Sequence, residues 1–433
     1  MTAFGLRSER NWAGNYAYRA ERLHRPASVE ELQEIAAGAP RLRVLASRHS
    51  FTGIADSAGL VTLDSLPREI AVDSAAGTVT LTASLRYGEL VEALNAKGVA
   101  LHNLASLPHI SVAGAVATAT HGSGDDSGNL ATAVAALELV TSTGEIVRSA
   151  RGDPDFAGLV VGLGAAGIVT RIALDVEPAY AVRQRVFEGL PWDALLEHFD
   201  EVTAAGDSVS VFTGWNPDAA DQVWIKSRVT DASEQVRDEF FGAVPATVER
   251  HPILGLDPVN CTPQLGRPGA WSDRLPHFRM GFTPSSGDEL QAEYLLGRRH
   301  AVDAIEAVRA VAHVIRPVLQ VAEIRTIAAD ELWMSPQYGR DSIGLHFTLA
   351  PDPAGVARVL PRLEAALAPF DARPHWGKLF VAAPRYERHA DFVALLERLD
   401  PRGAFRNDWL ERHVLDTDRP SRVDSRSARS THR

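Results

Sequence analysis

The sequence predicts an α+β fold with two domains. The chain has 433 residues, which is more than one hydrophobic core usually serves, so two domains are expected. Short strands alternate with helical segments up to about residue 180. Strands rich in aromatic residues (VSVFTGW, QVWIKSRV) then appear, and a long segment rich in Pro and Gly follows them. This change of composition predicts a domain boundary near residue 180.

The elements of the first region are predicted from capping signals and residue spacing. Asn11–Tyr16 is predicted to be a loop, and Ser28 with Glu31 forms the pattern of a capping box at the start of a helix. The other elements follow period two for strands and a spacing of three to four for helices. They are strands near Leu42–Leu45, Leu60–Leu63, Thr78–Thr82, Ala135–Thr141 and Gly167–Val176, and a helix at Tyr87–Asn95.

The second region is predicted to alternate strands and helices around one irregular segment. Its later elements are a helix at Ala301–Ile315, strands at Leu319–Ile327 and Ile343–Leu349, and a helix at Ala354–Leu367. The irregular segment, Pro245–Gly287, fits a lid, an oligomer contact or a plain connection. The tail after Leu415 has almost no apolar residues, so it is expected to be disordered.

Composition argues against several classes of partner. The net charge is −11 and the pI about 5.8, which disfavours nucleic acid or an anionic membrane surface as the main partner. Cys261 is the single cysteine, so neither an intramolecular disulfide nor a thiolate metal site can form, and the histidines show no HExxH spacing. No signal-peptide pattern or transmembrane-length apolar run is present, which predicts a cytoplasmic address. The oligomeric state is left open.

One nucleotide-binding motif occurs in the wrong context. GLGAAG, Gly162–Gly167, matches the G-x-G-x-x-G string, which requires a strand before it and a helix after it. Here the preceding PDFAGLVVG has helical spacing, and the following IVTRIALDV alternates like a strand. The motif is therefore predicted to be a tight helix-to-strand turn. An NAD-dependent dehydrogenase would rest on this string alone.

Two other stretches suit a phosphate better. In ASRHSF, Ala46–Phe51, small residues let backbone N–H groups approach an anion, and two serine hydroxyls can donate. SLPHISVAGAVATATHGSG, Ser106–Gly124, is rich in small residues and nearly free of charge. A tightly packed buried loop would have the same composition as the second stretch. Taken alone, His49 is better explained as a capping or solvent-facing histidine.

Two predicted strands combine polar side chains with an apolar opposite face. In LQVAEIRTI, period two places Glu323 and Arg325 on one face with Val321. In IGLHFTL, His346 and Thr348 share one face, and the apolar residues take the other. A solvated sheet surface would show the same pattern. The mix of acid and base within mostly apolar strands favours a binding site.

Three motifs together resemble a known family. RHSF, then SLPHISVAGAVATATHGSG, then HWGK are similar to the vanillyl-alcohol-oxidase-type FAD-linked oxidoreductases. Within them the likeness is to the alditol oxidases (xylitol or sorbitol oxidases) and the related sugar-lactone oxidases, from about Asn11 to Leu415. The resemblance implies a PCMH-type FAD-binding domain of two subdomains at 11–180. It implies an inserted substrate domain, an antiparallel sheet with helices, at 181–385. A return to the FAD domain at 386–415 and a tail at 416–433 would complete the chain.

The resemblance also implies how FAD is held. His49 would carry the cofactor covalently through the 8α-methyl group of the flavin. Ile168 would touch the adenine side. Because Cys261 lies outside the FAD motifs, a second, cysteinyl link is not expected. The other cofactor contacts implied are Ala46, Ser47, Arg48, Ser50, Ser106, Ser111, Gly114, Thr118, Ala119, Thr120 and His121.

The resemblance implies a polyol substrate. Its terminal hydroxyls would bind Glu323, Arg325, Thr348 and Ser106, and Lys378 of HWGK would lie near flavin N1 and the substrate. The hypothesis is that a hydride passes from the terminal carbinol to flavin N5, while His346 takes the hydroxyl proton. The products would be an aldose and, through oxygen, hydrogen peroxide.

Alternatives remain at this stage. HWGK is shared with the lactone branch, so a sugar-1,4-lactone oxidase or dehydrogenase is the nearest alternative function. A non-catalytic carbohydrate-binding protein on the same fold is an alternative of another class. The preferred polyol, and oxygen as against another electron acceptor, are left open.

Overall fold

Four sheets organise the described residues 9–230, 239–282 and 288–415 of the computed structural model. Three of them are formed mainly by the first 180 residues. Their strands are β1 (Arg22–His24), β2 (Arg43–Val44), β3 (Gly59–Val61), β4 (Ile70–Asp73), β5 (Thr78–Thr82), β6 (Val99–Ala100), β7 (Val134–Val140), β8 (Ile146–Ala150), β9 (Ile168–Asp175) and β10 (Glu177–Pro178). The helices of this part are α1 (Val29–Gly38), α2 (Tyr87–Ala96), α3 (Val112–Ala117) and α4 (Phe156–Val160).

The three sheets of this part differ in direction. The first is parallel with the order β1-β3-β2, and the second is antiparallel with the order β4-β5-β9-β7-β8. The third is the short antiparallel pair β10-β6. The predicted strand at Thr78–Thr82 and the predicted helix beginning at Tyr87 are confirmed.

Three predictions for this part are corrected in detail. The capping box is displaced: Ser28 Oγ accepts from Glu31 N at 3.2 Å, but the Glu31 carboxylate accepts from Ala27 N instead of Ser28 N. β2 is shorter than 42–45, because Leu42 N donates to a carbonyl of the C-terminal segment. β3 lies at 59–61 and not 60–63, where it pairs with both β1 and β2.

The glycine-rich motif GLGAAG is a helix-to-strand turn, as predicted. α4 precedes it and β9 follows it, which is the reverse of a dinucleotide-binding motif. Leu163 and Gly164 have φ angles of 52° and 64°, so the turn passes through the left-handed region. The turn also lines a cavity, which the sequence interpretation did not anticipate.

A nine-stranded antiparallel sheet dominates the second region. Its strands follow the order β14-β11-β13-β12-β17-β18-β16-β19, and β15 pairs with β11. They are β11 (Ala181–Pro191), β12 (Ser208–Thr213), β13 (Ala219–Arg228), β14 (Val244–Pro245), β15 (Gly269–Ala270), β16 (Leu290–Gly297), β17 (Leu319–Ile327), β18 (Ser342–Leu349) and β19 (Arg373–Pro374). The helices from this point onward are α5 (Trp192–Glu197), α6 (Phe199–Thr203), α7 (Ala301–Ile315), α8 (Pro353–Leu367), α9 (His389–Leu399) and α10 (Asp408–Leu410).

Period two gives the large sheet two different faces. Ile324 and Phe347 belong to an apolar core that also includes Val308 of α7 and Leu360 of α8. The alternate residues of β16, β17 and β18 point away from these helices, toward the first region. The helix predicted at Ala301–Ile315 and the strand at Leu319–Ile327 are confirmed.

The C-terminal segment packs on the first region. Phe392, Leu395 and Trp409 share one hydrophobic core with Leu159 of α4. This packing agrees with a return of the chain after residue 386, although the domain boundaries stay a prediction. The tail predicted to be disordered, 416–433, lies outside the described residues. Among the described residues, no helix has the length and apolar character needed to cross a membrane.

Candidate active site

A cavity of about 550 Å³ separates the first region from the polar face of the large sheet. This volume is in the range of cofactor and ligand sites. Its walls include the loop 43–51, the stretch 105–121, the turn 162–169, the segment 251–282, the sheet face, and residues 375–378. All of RHSF and parts of the two other motifs that resemble the FAD oxidoreductases therefore meet in one place.

His49 projects from the wall of this cavity. Its ring stacks against Trp12 with centroids 5.3 Å apart and lies 4.7 Å from the ring of His109. Burial, reinforced by His109 and Arg86, lowers the pKa of His49 to about 3, so the ring is neutral at physiological pH. Within the described residues, neither ring nitrogen has a hydrogen-bonding partner of normal geometry. The ring nitrogens of the neighbouring His109 are buried in the same unpartnered state. Buried polar atoms without partners are uncommon, so this part of the wall suits a group that the protein itself does not supply.

The side chain of Arg48 points in a different direction from that of His49. It has a φ of 63°, which is uncommon for a residue with a side chain. Its guanidinium pairs with Glu9 at 2.8 Å, and both side chains are about one-third exposed. Arg48 therefore lies at the rim of the cavity, while His49 is buried in the wall. The left-handed turn separates the two side chains.

The small-residue stretch forms the wall around α3. Ser47 Oγ accepts from Ser111 N at 3.0 Å and donates to Ser111 Oγ at 3.2 Å. Thr118 Oγ1 donates to Gly114 O at 2.9 Å and lies 3.2 Å from Thr120 Oγ1. A Cβ on Gly114 would lie 2.6 Å from Ser111 Oγ. The wall is thus lined by hydroxyls and by backbone at the start of a helix, where N–H groups have no partner within the helix.

Most residues implied as cofactor contacts line the cavity. They are Ala46, Ser47, Arg48, His49, Ser50, Ser106, Ser111, Gly114, Thr118, Thr120 and His121. Ala119 and Ile168 do not line it. Ala119 has a φ of 51° and is buried in the core, and Ile168 is buried with Leu32. Strand alternation directs Gly167 and Val169, the neighbours of Ile168, toward the cavity instead.

The polar face of the sheet carries the predicted substrate residues. In the antiparallel register, His346 of β18 lies between Glu323 of β17 and Glu293 of β16. Arg325 follows on β17, and Thr348 follows on β18. All of these side chains are buried and line the cavity. The structure therefore brings together the two pairs that the alternation pattern placed on one face.

Glu293 is the centre of an ionic network on this face. Its Oε1 accepts from Arg325 Nη2 at 2.6 Å and lies 3.3 Å from His121 Nε2. Its Oε2 accepts from Lys378 Nζ at 2.6 Å. Lys378 Nζ also donates to His346 Nδ1 at 2.8 Å. One carboxylate thus holds two cations at the cavity wall.

The network shifts the pKa values of its members. Burial opposes ionisation of Glu293, but Lys378, His121 and Arg325 outweigh it and hold its pKa well below the usual range. Burial also opposes ionisation of Glu323, yet Arg325 and His277 hold the pKa of this carboxyl far below normal. Both carboxylates are therefore charged at neutral pH.

The pKa values of the basic groups are also lowered, which favours their neutral forms. Burial lowers the pKa of Lys378. Burial and the nearby Lys378 lower the pKa of His346 to about 4. His346 is therefore neutral at physiological pH, and its Nε2 lies 3.1 Å from Thr348 Oγ1. A neutral imidazole beside a lysine of lowered pKa can receive a proton from a hydroxyl group.

The sequence interpretation missed three groups of this site. Glu293 follows the same rule as the predicted strands, because LQAEYLLG alternates Gln291 and Glu293 with apolar residues, so period two would have found it. His375, whose Nδ1 accepts from Gly377 N at 3.0 Å, is the first residue of the HWGK motif, in which only Lys378 had been assigned a role. His277 comes from an irregular segment and carries no signal of this kind.

Comparison with known proteins agrees with this site. The model of an FAD-binding domain matches residues 20–150, and that of D-arabinono-1,4-lactone oxidase matches residues 289–413. An alditol oxidase from Streptomyces sp. (strain IKD472 / FERM P-14339) is 50% identical over 415 residues, covering 94% of this chain and 98% of that protein. The chain belongs to the alditol oxidase family. It is an FAD-dependent oxidase.

Other relatives are more distant. L-gulono-1,4-lactone dehydrogenase of Mycobacterium tuberculosis (strain ATCC 25618 / H37Rv) is 28% identical over 430 residues, covering 93% of this chain and 98% of that protein. The crystal structure of cholesterol oxidase from B. sterolicum superposes with a TM-score of 0.74 at 14% identity, covering 94% of this chain and 96% of that one. At this identity the likeness concerns the fold alone. The predicted architecture, an FAD-binding domain joined to a domain built on an antiparallel sheet, is confirmed.

Proposed function

We propose that this alditol oxidase family member oxidises the terminal primary alcohol of an alditol such as xylitol or sorbitol to the aldose, with oxygen reduced to hydrogen peroxide. The observation that carries the proposal is the buried row of Glu323, His346 and Glu293 with Arg325 and Lys378, opposite the wall that contains the FAD motifs. Bound FAD supplies the hydride acceptor and the means of passing electrons to oxygen.

The residues of the opposite wall fit FAD. The hydroxyls of Ser47, Ser111, Thr118 and Thr120 and the backbone near Gly114 would hold the pyrophosphate, because they offer donors without a competing carboxylate. His49 would be the covalent tether. The buried nitrogens of its neutral ring have no hydrogen-bonding partner of normal geometry among the described residues, so a nitrogen lone pair is available for a bond to the cofactor.

The polar face suits a chain of hydroxyl groups. Each hydroxyl both donates and accepts a hydrogen bond, so a polyol needs alternating acceptors and donors. Glu323 is acceptor-only in its charged form, Arg325 and Lys378 are donor-only, and the hydroxyls of Thr348 and Ser106 can do both. This combination supports recognition of the terminal hydroxyls by these five residues.

His346 and Lys378 would remove the hydroxyl proton. His346 is neutral at physiological pH, and its Nε2 faces the cavity side chain of Thr348, where a substrate hydroxyl can take the place of that contact. Its other nitrogen, Nδ1, lies 2.8 Å from Lys378 Nζ. His346 can receive this proton at Nε2 only in the form in which Lys378 has already lost a proton, so that its amine accepts from Nδ1–H. The hydroxyl proton then reaches Nε2 as the Nδ1 proton passes to Lys378. Glu293 balances the resulting ammonium charge.

The visible spectrum of the purified holoenzyme tests the proposal. It is recorded before and after acid precipitation, and again after anaerobic addition of xylitol. Yellow colour that remains in the acid pellet and bleaches with xylitol or sorbitol is the expected result. A colourless protein, once poor FAD loading is excluded as the cause, or a flavin that no alditol reduces, would contradict it.

A sugar-1,4-lactone is the second candidate substrate. The match of residues 289–413 to the lactone oxidase model favours it. Anaerobic reduction by L-gulono- or L-galactono-1,4-lactone, compared with xylitol in the same experiment, separates the two. Faster reduction by a lactone, with no reduction by alditols, would transfer the proposal to the lactone branch.

A further inference from the structure

A buried lysine and histidine lie behind Glu323, and the proposed chemistry does not use them. Lys226 of β13 is 1% exposed and His277 is 6% exposed. Lys226 Nζ donates to Leu275 O and to Pro276 O, and it lies 3.1 Å from His277 Nδ1. His277 Nε2 lies 2.9 Å from Glu323 Oε1. The three side chains form a continuous chain that ends at the cavity.

Hydrogen-bond chemistry fixes the direction of this chain. A lysine ammonium has three donors and no acceptor, and here all three donors have partners. His277 Nδ1 must therefore accept. The neutral ring then carries its proton on Nε2 and donates it to the Glu323 carboxylate, which is acceptor-only.

The titration of His277 agrees with this assignment. Burial, together with Lys226, lowers the pKa of His277 to about 4, so the ring is neutral at physiological pH. Burial lowers the pKa of Lys226 to about 7, although Glu323 opposes the shift, so the lysine is mainly an ammonium donor below pH 7. The requirement of the Glu323 carboxylate for a proton on Nε2 does not depend on the charge of Lys226. The negative carboxylate and the lysine are thus separated by one neutral imidazole.

Packing holds the His277 ring in this orientation. The ring meets Phe212 and Trp224 edge to face, with centroids 5.4 Å and 5.5 Å away. Its backbone carbonyl accepts from Thr262 N at 2.9 Å. Edge-to-face packing on two sides leaves the ring little freedom to rotate. The irregular segment 245–282 therefore delivers one rigid polar group to the site.

We infer that His277 is a positioning residue for substrate recognition: Lys226 holds it as the Nε2–H tautomer, and His277 in turn fixes the carboxylate of Glu323. With Oε1 occupied by His277, and Oε2 3.5 Å from Arg325 Nε, the carboxylate has one defined orientation toward the cavity. The identity of the group that Glu323 binds rests on the proposed function. The orientation of Glu323 does not.

Four variants of the full-length holoenzyme test this role. In His277→Gln, the side-chain amide can take the place of Nε2 and still donate to Glu323. His277→Phe keeps the ring and its aromatic packing but removes the donor. Lys226→Met removes the group that fixes the tautomer. His413→Phe is the matched control, because His413 also packs against aromatic rings, Phe380 and Trp409, but lies outside the cavity lining.

Steady-state kinetics with the best alditol give the first readout, with flavin content and thermal midpoint recorded for each variant. We expect His277→Phe to raise KM on the order of tenfold with little change in kcat, the size expected for losing a hydrogen bond to a charged group. The KM of His277→Gln should stay within about threefold of the wild-type KM, because the amide can still donate to Glu323. Lys226→Met should raise KM, and His413→Phe should not. An unchanged KM in His277→Phe, or equal damage by Gln and Phe, would overturn the positioning role.

Nitrogen NMR of 15N-histidine-labelled holoenzyme gives a second readout that needs no substrate. The spectrum of His277, assigned by its loss in His277→Gln, should show a protonated Nε2 and an unprotonated Nδ1 at neutral pH. Lys226→Met should weaken this preference without reversing it, because the Glu323 carboxylate still favours a proton on Nε2. A charged ring, or an Nδ1–H tautomer in the wild type, would overturn the inference. If no alditol reduces the wild type while the tautomer is as expected, the proposed function fails and the assignment of His277 to Glu323 is supported.

If His277→Phe does not fold, His277→Asn replaces it. The asparagine amide corresponds to the Nδ1 side of the ring and cannot reach Glu323. A KM for His277→Asn well above that of His277→Gln supports the role, and equal KM values overturn it.

Discussion

The carboxylate of Glu293 lies 2.6 Å from the ammonium of Lys378, with no part of the Glu293 side chain exposed to solvent. The same carboxylate accepts from Arg325 at 2.6 Å. A buried charge costs several kcal/mol unless it is paired and hydrogen-bonded. Because both cations face the cavity, the position of each depends on this one carboxylate. Glu293 is therefore a support for the substrate-facing residues, although it was absent from the sequence interpretation.

Replacing Glu293 with Gln should lower both stability and activity. The variant keeps the shape of the side chain but leaves Lys378 and Arg325 without their shared counter-charge. Breaking a buried ion pair from one side costs about 3–5 kcal/mol, so the free energy of unfolding should fall by that order. The kcat/KM for an alditol should fall about 100-fold, which corresponds to roughly 2.7 kcal/mol of lost transition-state stabilisation. Denaturant titration and steady-state kinetics measure the two effects.

Glu188→Gln provides the control for this substitution. Glu188 lies in the same sheet, and it makes two hydrogen bonds to Arg250 at 2.8 Å and 2.9 Å with both side chains about one-third exposed. Ion pairs of this kind contribute about 0–1 kcal/mol, so stability should change little. Equal losses of stability and activity in Glu188→Gln and Glu293→Gln would contradict the role of Glu293 as a support for the substrate-facing residues.

Replacing His49 with Ala should leave FAD bound only by non-covalent contacts. The rest of the cavity wall is unchanged, so the variant should still take up FAD, but acid precipitation should release it. Flavin fluorescence on a denaturing gel measures the covalent fraction. His109→Ala is the control, because its ring lies 4.7 Å from that of His49 and is also buried. Covalent flavin in His49→Ala, or its loss only in His109→Ala, would refute the assignment of the tether.

Local rules were sufficient for the strands and for the direction of their side chains. Period two assigned Glu323 and Arg325 to one face and His346 and Thr348 to one face, and the structure brings all four to the cavity. Spacing also distinguished the helix-to-strand turn at GLGAAG from a dinucleotide motif. These results depend only on neighbours along the chain, which is why one sequence can supply them.

Contacts between distant segments could not be derived in this way. Glu293 lies beside His346 because β16 and β18 pair through hydrogen bonds. These two strands are separated along the chain by α7, β17 and a loop. His277 reaches Glu323 from a segment without periodicity. Ile168 is a different case, because strand alternation, a local rule, directs its side chain into the core. Tertiary pairing decided the positions of Glu293 and His277.

Replacing Gly114 with Ala should separate cofactor loading from folding. Gly114 lies within α3, where Ala is favoured over Gly by about 1 kcal/mol. However, its Cβ would lie 2.6 Å from Ser111 Oγ, so Ser111 would have to move at the wall that suits the pyrophosphate. We expect a folded protein with a several-fold lower flavin-to-protein ratio, measured by absorbance at 280 nm and in the flavin band.

Gly38→Ala is the control for this effect. Gly38 is in α1, and a Cβ there would have no atom within 4 Å. Its flavin content should equal that of wild type. Full flavin loading in Gly114→Ala would show that the small-residue wall is not built for close approach of a ligand.

Acidification should destabilise the protein before its carboxylates titrate. The pKa values of His277, His346 and His413 are lowered to about 4, mainly by burial. An unfolded histidine titrates near 6.5, so between pH 6.5 and 4.5 the unfolded chain binds more protons than the folded one. The free energy of unfolding must then fall as pH falls. Glu293 and Glu323, with depressed pKa values, act in the same direction but only near and below their ordinary value of 4.5.

His413→Phe isolates one contribution to this slope. His413 lies outside the cavity lining, so its loss should not disturb the ionic network of the sheet face. Between pH 6.5 and 4.5 the variant should lose stability less steeply than wild type, by up to about 1.4 kcal/mol per pH unit for one histidine. Above pH 7.5 the two curves should run parallel, because this ring is uncharged in both states. Denaturant titrations across the range measure the difference. Identical slopes at low pH would mean that His413 has an ordinary pKa in the folded protein. Burial of His413 would then contribute nothing to the acid sensitivity.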